Sequence, residues 1–174
     1  ENYGDITKIK VLPPHDLLTA GVPCQSWSIA GKNLGFKDDR GKLWNDAIYL
    51  LNQSKPKAFI FENVKGLVDP RNKDAFQYIL ERIKDAGYYA NYYILNSSDY
   101  GVPQNRHRVL FIGRKKGNAY LPIFFPEKLI GNPKTVREAI GHYPALKSGE
   151  SSSIPNHEAM VHSFQMLEKM SYVR

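Results

Sequence analysis

The chain has 174 residues, 42% hydrophobic and 12% aromatic, so it is sized for one domain or part of one and is too apolar for a disordered tail. Its single cysteine excludes an intrachain disulfide and a metal site made of cysteines alone. The net charge of +7 fits an acidic partner such as nucleic acid, and equally a basic surface that serves solubility.

The sequence shows no sign of a membrane or secretion segment. No apolar run approaches the roughly 18 residues of a transmembrane helix, and the polar start at Glu1 is unlike a signal peptide. We therefore expect an intracellular protein. The chain starts at Glu1, and its last predicted helix has no cap or stop signal before the chain ends at Arg174, so we also expect it to be cut from a longer one.

Apolar and polar segments alternate as in an α/β protein. Four apolar runs predict strands: 16–21, 57–61, 88–95 and 108–112. Apolar residues at helical spacing predict one helix around 43–51 and a second around 76–83, which Gly87 would end. Four strands are too few for a complete doubly wound sheet.

The segments between and after these elements predict loops and two further helices. Residues 25–41 are polar, Gly-rich and aperiodic, and a loop of that length is often functional. The Thr-x-x-Glu pattern of residues 135–138 predicts a capping box, with Gly141 ending the helix. Residues 147–153 predict a linker or exposed loop, and a last helix is expected from about His157 to Met170.

Cys24 directly follows the first predicted strand, within Pro23-Cys24-Gln25. Ligands of open α/β sheets bind at the carboxyl ends of strands, and a thiolate held there would be a strong nucleophile. A lone intracellular cysteine is more often a small buried hydrophobic residue.

Glu62 directly follows the second predicted strand, within Phe61-Glu62-Asn63-Val64. An acid between these apolar neighbours would be partly desolvated, which suits a proton donor near neutral pH. A helix cap or a surface carboxylate is the alternative interpretation.

Arg106 and Arg108 lie where a loop enters the fourth predicted strand. Alternate positions of a strand share a face, so the two guanidinium groups would project together, as recognition of carbonyl, phosphate or carboxylate groups requires. The alternative is a solvated basic edge, because the stretch 104–116 holds five cations and no acid.

These segments together resemble the C5-cytosine DNA methyltransferase family. Their order is Pro23-Cys24-Gln25, a Gly-rich loop, Glu62-Asn63-Val64, and Gln104 to Arg108. Further matches are Gly4-Asp5-Ile6, Ser28, Gly31-Lys32, Gly35-Phe36, Arg40-Gly41, Leu43 and Asp99 to Pro103. The resemblance is close over about residues 4–113, and it weakens to the approach of the family's target-recognition region in 135–157.

The resemblance implies a Rossmann-like mixed sheet of the S-adenosylmethionine-dependent methyltransferases, with its second half present and its N-terminal strands absent. It implies methyl transfer from S-adenosylmethionine to C5 of a cytosine flipped out of duplex DNA. Cys24 would attack C6, Glu62 would act at N3, and Arg106 and Arg108 would hold O2 and phosphate. Loss of the C5 proton has no evident side-chain base.

The resemblance also assigns binding residues. Those for the substrate are Pro23, Gln25, Ser28, Arg40, Asn63, Val64 and Gln104, and those for the cofactor are Asp5, Ile6, Pro23 and Leu43. Ile6 and Leu43 are equally well explained as core residues. No metal is implied.

The family's Gly-rich cofactor motif and its C-terminal recognition domain are not found in the chain. We therefore expect a partial catalytic domain in 1–145 and a linker with the start of the recognition region in 146–174. The missing half would come from the rest of the chain, a partner subunit or self-association, because a bare first strand would be an exposed apolar edge.

The setting that the resemblance implies is a microbial restriction–modification enzyme, cytoplasmic and associated with the nucleoid, with no membrane partner. Three alternatives stay open. They are an RNA cytosine methyltransferase, a catalytically incomplete DNA-binding or assembly fragment, and a Cys–His hydrolase that uses His107, His142 or His157.

Overall fold

The architecture is taken from a computed structural model, which describes residues 2–23, 39–117 and 124–173. The chain divides into two compact units, Glu1–Pro133 and Lys134–Arg174. This division of the backbone does not test the expected division by function at residue 145, which stays a prediction.

The first unit contains a four-stranded mixed sheet in the order β1-β2-β4-β3. The strands are β1 (Leu17–Gly21), β2 (Ala58–Val64), β3 (Tyr88–Asn96) and β4 (His107–Lys115). β1 and β2 are parallel, whereas β4 runs antiparallel to both β2 and β3. The expected mixed α/β sheet is thus confirmed, and within the described residues β1 and β3 form its edges.

The two central strands alternate as expected for a sheet packed on a core. Phe59 and Phe61 of β2 and Val109 and Phe111 of β4 are fully buried, and they lie at alternate positions of their strands. Gly113 pairs with Phe59, and its lack of a side chain leaves room for the phenyl ring.

Helices α1 (Asp39–Ser54) and α2 (Lys73–Asp85) supply much of the rest of this core. Their buried members include Trp44, Leu51, Ile79 and Ile83, and α2 packs on β3. Both predicted helices are confirmed. Gly87 follows α2 with φ of +95°, a conformation that glycine adopts without a steric penalty.

The predicted loop over residues 25–41 extends too far toward the C-terminus, because α1 already begins at Asp39. Its glycines predict a loop throughout, but Gly41 lies in the first turn of α1. Main-chain N–H groups have no partner inside the helix at that position, so glycine weakens the helix little.

The second unit contains α3 (Val136–Ile140) and α4 (Phe164–Ser171). The capping box is confirmed: Thr135 accepts from the N–H of Glu138, and the Glu138 carboxylate accepts from the N–H of Thr135. The last helix begins later than predicted, because Ser163 is its N-cap and accepts a hydrogen bond from the N–H of Met166. Upstream, Ser151 and Glu158 form an isolated β-bridge that excludes a helix over that stretch.

In the described parts of the chain, no helix has both the length and the apolar composition needed to span a membrane.

Candidate active site

Glu62, Asn63 and Val64 are the last three residues of β2. The prediction that they follow the strand is wrong, because their pairing with β4 continues as far as Val64 and Arg108. Polar residues after an apolar run indicate a strand end in sequence. Here an antiparallel neighbour extends the strand through them.

Glu62 and Arg108 form an ion pair across β2 and β4. The Nε atom of Arg108 lies 2.5 Å from Oε1 of Glu62, and their side chains are 24% and 37% exposed. Glu62 pairs with Leu110 and Val64 with Arg108, so the two charged residues are diagonal neighbours on one face. The guanidinium therefore fixes the orientation of the carboxylate while solvent still reaches both groups.

The second carboxylate oxygen of Glu62 faces the end of β1. A Cβ atom placed on Gly21 would lie 3.7 Å from Oε2 of Glu62. Gly21 pairs with Glu62 in the parallel register, and Pro23 and Cys24 follow it directly in sequence. The Glu62 carboxylate thus adjoins both the last residue of β1 and the start of β4. From the end of β1 the chain leads directly to Cys24, the only cysteine of the sequence.

Asn63 holds the chain that leads to Cys24. Its side chain is fully buried, Nδ2 donates to the carbonyl of Val22 at 3.1 Å, and Oδ1 accepts from the N–H of Val64 at 2.8 Å. The N–H of Val22 donates to the carbonyl of Glu62, so Val22 is held through both main-chain groups. The amide of Asn63 is therefore occupied by the backbone, and its predicted contact with the substrate stays a prediction.

Arg106 and Gln104 are exposed in the turn that enters β4. The main chain of Arg106 is held by two residues that sequence reasoning did not single out. Asn96 accepts from the N–H of Arg106 at 2.9 Å, and Ser97 donates to its carbonyl from both N–H and Oγ at 3.1 Å. An Asn at the end of a predicted strand, before a polar turn, was the available signal.

The expected cofactor residues begin with Asp5, which caps the short 3-10 turn Ile6–Lys8. Its Oδ1 accepts from N–H and Oγ1 of Thr7 at 3.0 and 2.9 Å, and these bonds keep the pKa of the carboxyl below its ordinary value. Oδ2 has no hydrogen-bond partner in the described part of the chain. The turn contacts α1, where half-buried Leu43 packs on the core. The exposed carboxylate of Asp5 can accept a hydrogen bond from an amino group, and half-buried Ile6 beside it can pack on the apolar ring that carries that amino group.

Several expected site residues lie outside the described residues, namely Cys24, Gln25 and Ser28, together with the side chain of Arg40. Pro23 is exposed, and Val64 is half-buried against the core. Among the residues that the structure describes, no cluster of three or more His, Cys, Asp or Glu could hold a metal ion.

The chain is similar to proteins of one kind. The family model of the C-5 cytosine-specific DNA methylases matches residues 1–173. Type II methylase M.HgiEI of Herpetosiphon aurantiacus is 56% identical over 126 residues, which is 72% of this chain and 29% of that protein. Type II methyltransferase M1.HphI of Haemophilus parahaemolyticus is 44% identical over 161 residues, which is 91% of this chain and 42% of that one.

A solved structure agrees with these relatives. The crystal structure of a DNA modification methyltransferase encoded within an E. coli prophage matches with a TM-score of 0.61 and 29% identity, covering 82% of this chain and 39% of that one. The chain thus spans less than half the length of these relatives.

Proposed function

This chain belongs to the C-5 cytosine-specific DNA methylase family, and on that premise we propose that it carries the catalytic residues for methylating C5 of cytosine in duplex DNA. The observation that carries the proposal is the Glu62–Arg108 pair, whose carboxyl group faces Gly21 at the end of β1, three residues before Cys24. An acid, a cation and a cysteine are the groups needed to make C5 of cytosine nucleophilic.

Cys24 attacks C6 of the cytosine as a thiolate, forming a C–S bond. The displaced electron pair moves through the ring to N3, where Glu62 donates a proton or a hydrogen bond. Glu62 acts here in its protonated form: Arg108 Nε, 2.5 Å from Oε1, orients the carboxyl group, and Oε2 carries the proton that N3 receives. C5 becomes enamine-like and is ready to accept an electrophile.

S-adenosylmethionine, when bound, supplies the methyl group as its electrophilic sulfonium substituent. Arg108 and Arg106 hold O2 of the ring and a neighbouring phosphate during the step. A base, for which water is our proposal, then removes the C5 proton. The electron pair of that bond expels the Cys24 thiolate from C6 and leaves 5-methylcytosine.

The cytosine must leave the duplex for Cys24 to reach C6, so the proposal includes base flipping. Gln25, Ser28, Arg40 and Gln104 contact the DNA in this proposal. Pro23, Asn63 and Val64 shape the base pocket, with Asn63 acting through its main chain, since its amide is bonded to Val22 and Val64.

For the cofactor, Asp5 accepts the adenine amine through its free oxygen. Ile6 and Leu43 pack on the adenosine, and Pro23 borders it. These residues fit that end of the molecule, because Asp5 is exposed and only its Oδ1 is used by Thr7, which leaves Oδ2 as an acceptor. The relatives named Type II methyltransferases support a restriction–modification role.

The test is transfer of labelled methyl from S-adenosylmethionine to mixed-sequence duplex DNA, with Cys24→Ser as the inactive control. We expect incorporation by the parent chain, alone or with the remainder of a full-length relative supplied in trans, and none by the variant. Transfer RNA as the acceptor tests the alternative substrate. Equal incorporation by Cys24→Ser would contradict the proposed mechanism.

Trapping on DNA that carries 5-fluorocytosine adds a direct test of the nucleophile. Fluorine at C5 cannot leave as a proton does, so the Cys24 adduct should persist as a covalent protein–DNA complex. Its absence from an active chain would exclude attack by Cys24.

A further inference from the structure

The main chain of Arg106 is fixed on both sides by the residues at the end of β3. Oδ1 of Asn96 accepts from its N–H, and Ser97 donates twice to its carbonyl. We call Asn96 and Ser97 together the Arg106 clamp. The clamp lies where the ladder between β3 and β4 ends, with the pair of Asn96 and His107.

The amide of Asn96 is fully used within this one loop. Its Nδ2 donates to Oγ of Ser98 at 2.7 Å and to Oδ1 of Asn105 at 3.2 Å, while its oxygen holds Arg106. One side chain therefore joins the start of the loop to its end. Replacing Asn96 with an apolar residue would release both the start and the end of the loop.

The clamp fixes the backbone of Arg106 and leaves its side chain open. Arg106 is exposed, and in the described ranges no acidic side chain pairs with its guanidinium. A long arginine side chain with a loose backbone would lose much conformational entropy on binding a ligand. A fixed backbone lowers that cost and aims the group.

We propose that Asn96 is a positioning residue for Arg106: its side-chain amide fixes the backbone from which Arg106 reaches the DNA beside the Glu62–Arg108 pair. This inference rests on the proposed function for the role of Arg106, and on the hydrogen bonds alone for the clamp. The two parts are tested by separate measurements.

Three variants separate positioning from general stability. Asn96→Ala removes the acceptor for the Arg106 N–H. Asn96→Asp keeps it, because Ser98 and Asn105 can turn to donate to the second carboxylate oxygen. Asn91→Ala is the matched control, since Asn91 is an exposed residue of the same strand.

The first measurement is hydrogen exchange at the Arg106 amide. We expect exchange at least tenfold faster in Asn96→Ala than in the parent, and within about threefold of the parent in Asn96→Asp and Asn91→Ala. An Arg106 amide that is equally protected in Asn96→Ala would overturn the clamp, whatever the chain does with DNA.

The second measurement is a double-mutant cycle of Asn96→Ala with Arg106→Ala, read on kcat, KM and affinity for duplex DNA. We expect each single variant to weaken DNA affinity or raise KM, and the double variant to match Arg106→Ala within twofold. Multiplying effects would show that Asn96 acts independently of Arg106 and would overturn the positioning role.

The two failures are distinguishable. A parent chain that neither binds nor methylates DNA, even when completed in trans, contradicts the proposed function and the role of Arg106 in it. In that case the clamp would still be established if the Arg106 amide exchanges slowly in the parent, faster in Asn96→Ala and slowly again in Asn96→Asp.

Discussion

The side-chain amide of Asn63 donates a hydrogen bond to the main-chain oxygen of Val22, with 3.1 Å between Nδ2 and O. A fully buried polar group at the end of β2 thus holds the chain two residues before Cys24. Burying an amide is unfavourable unless its donors and acceptors are satisfied, and here both oxygen and nitrogen have main-chain partners.

Asn63→Leu should therefore destabilise the protein by about 1–3 kcal/mol, because it leaves the Val22 carbonyl and the Val64 N–H without their partner. Urea unfolding measures the change. Asn91→Leu, at an exposed position, should stay within about 0.5 kcal/mol of the parent. Equal effects at the two positions would show that the Asn63 hydrogen bonds contribute nothing to stability.

Glu62→Gln should change activity far more than stability. Its ion pair with Arg108 is partly exposed, so we expect a loss in unfolding free energy below about 1 kcal/mol. Because glutamine cannot donate an acidic proton at N3, methyl transfer should fall by about 10²–10⁴-fold in single-turnover experiments.

The matched control is Asp16→Asn, which removes the exposed Asp16–Lys57 pair at the opposite end of β1 and β2. It should leave methyl transfer within about twofold of the parent and stability within about 0.5 kcal/mol. A comparable loss of activity in both variants would argue against a role for Glu62 in the chemical step.

Gly113→Ala should strain the centre of the sheet. A Cβ at this position would overlap the ring of Phe59 at Cε1, Cζ and Cδ1. We expect a cost of about 1–3 kcal/mol from overpacking, measured by urea unfolding. Combining it with Phe59→Leu should recover part of that cost, since the smaller side chain frees the space; strictly additive losses would rule out the steric explanation.

The acid stability of the protein should depend on Asp69. Hydrogen bonds from the side chain and main chain of Arg71 lower the pKa of Asp69 from 3.8 to about 2. A carboxyl with a lower pKa when folded stabilises above its unfolded pKa and loses that contribution as the pH falls, here between 3.8 and about 2. Asp69→Asn should flatten this part of the profile of urea midpoint against pH.

The control for this profile is Asp85→Asn, which removes an exposed carboxyl at the end of α2 and keeps the Asp69–Arg71 pair. Its profile should keep the steep decrease of the parent. Parallel profiles for the parent and Asp69→Asn would contradict the linkage.

The strands and the first two helices could be predicted because apolar runs and stripes carry that information directly. Phe59 and Phe61 mark β2, and Ile79 and Ile83 mark one face of α2. The order of the sheet could not be predicted. The insertion of β4 between β2 and β3 depends on pairing between distant segments, which no local pattern encodes.

The site was predicted in part for the same reason. Glu62 and Arg108 were singled out by type and position, but their mutual contact requires the β2–β4 register. The roles of Asn63 and Asn96 depend on which main-chain groups they meet, and the sequence shows only two amides near strand ends. The late start of α4 could have been found from Ser163, a good N-cap residue before an apolar stripe.

The position of β4 in the sheet also has a consequence for how the protein is made. β2 emerges from the ribosome with β1 as its only partner in the described sheet, and its other edge stays open until residue 115 has been synthesised. β3 and β4 can pair first as a local hairpin, since only ten residues separate them, and then dock on β2. In that order of assembly Glu62 meets Arg108 only when the hairpin docks, and a nascent chain stalled before β4 would present the open edge of β2 to any other strand nearby.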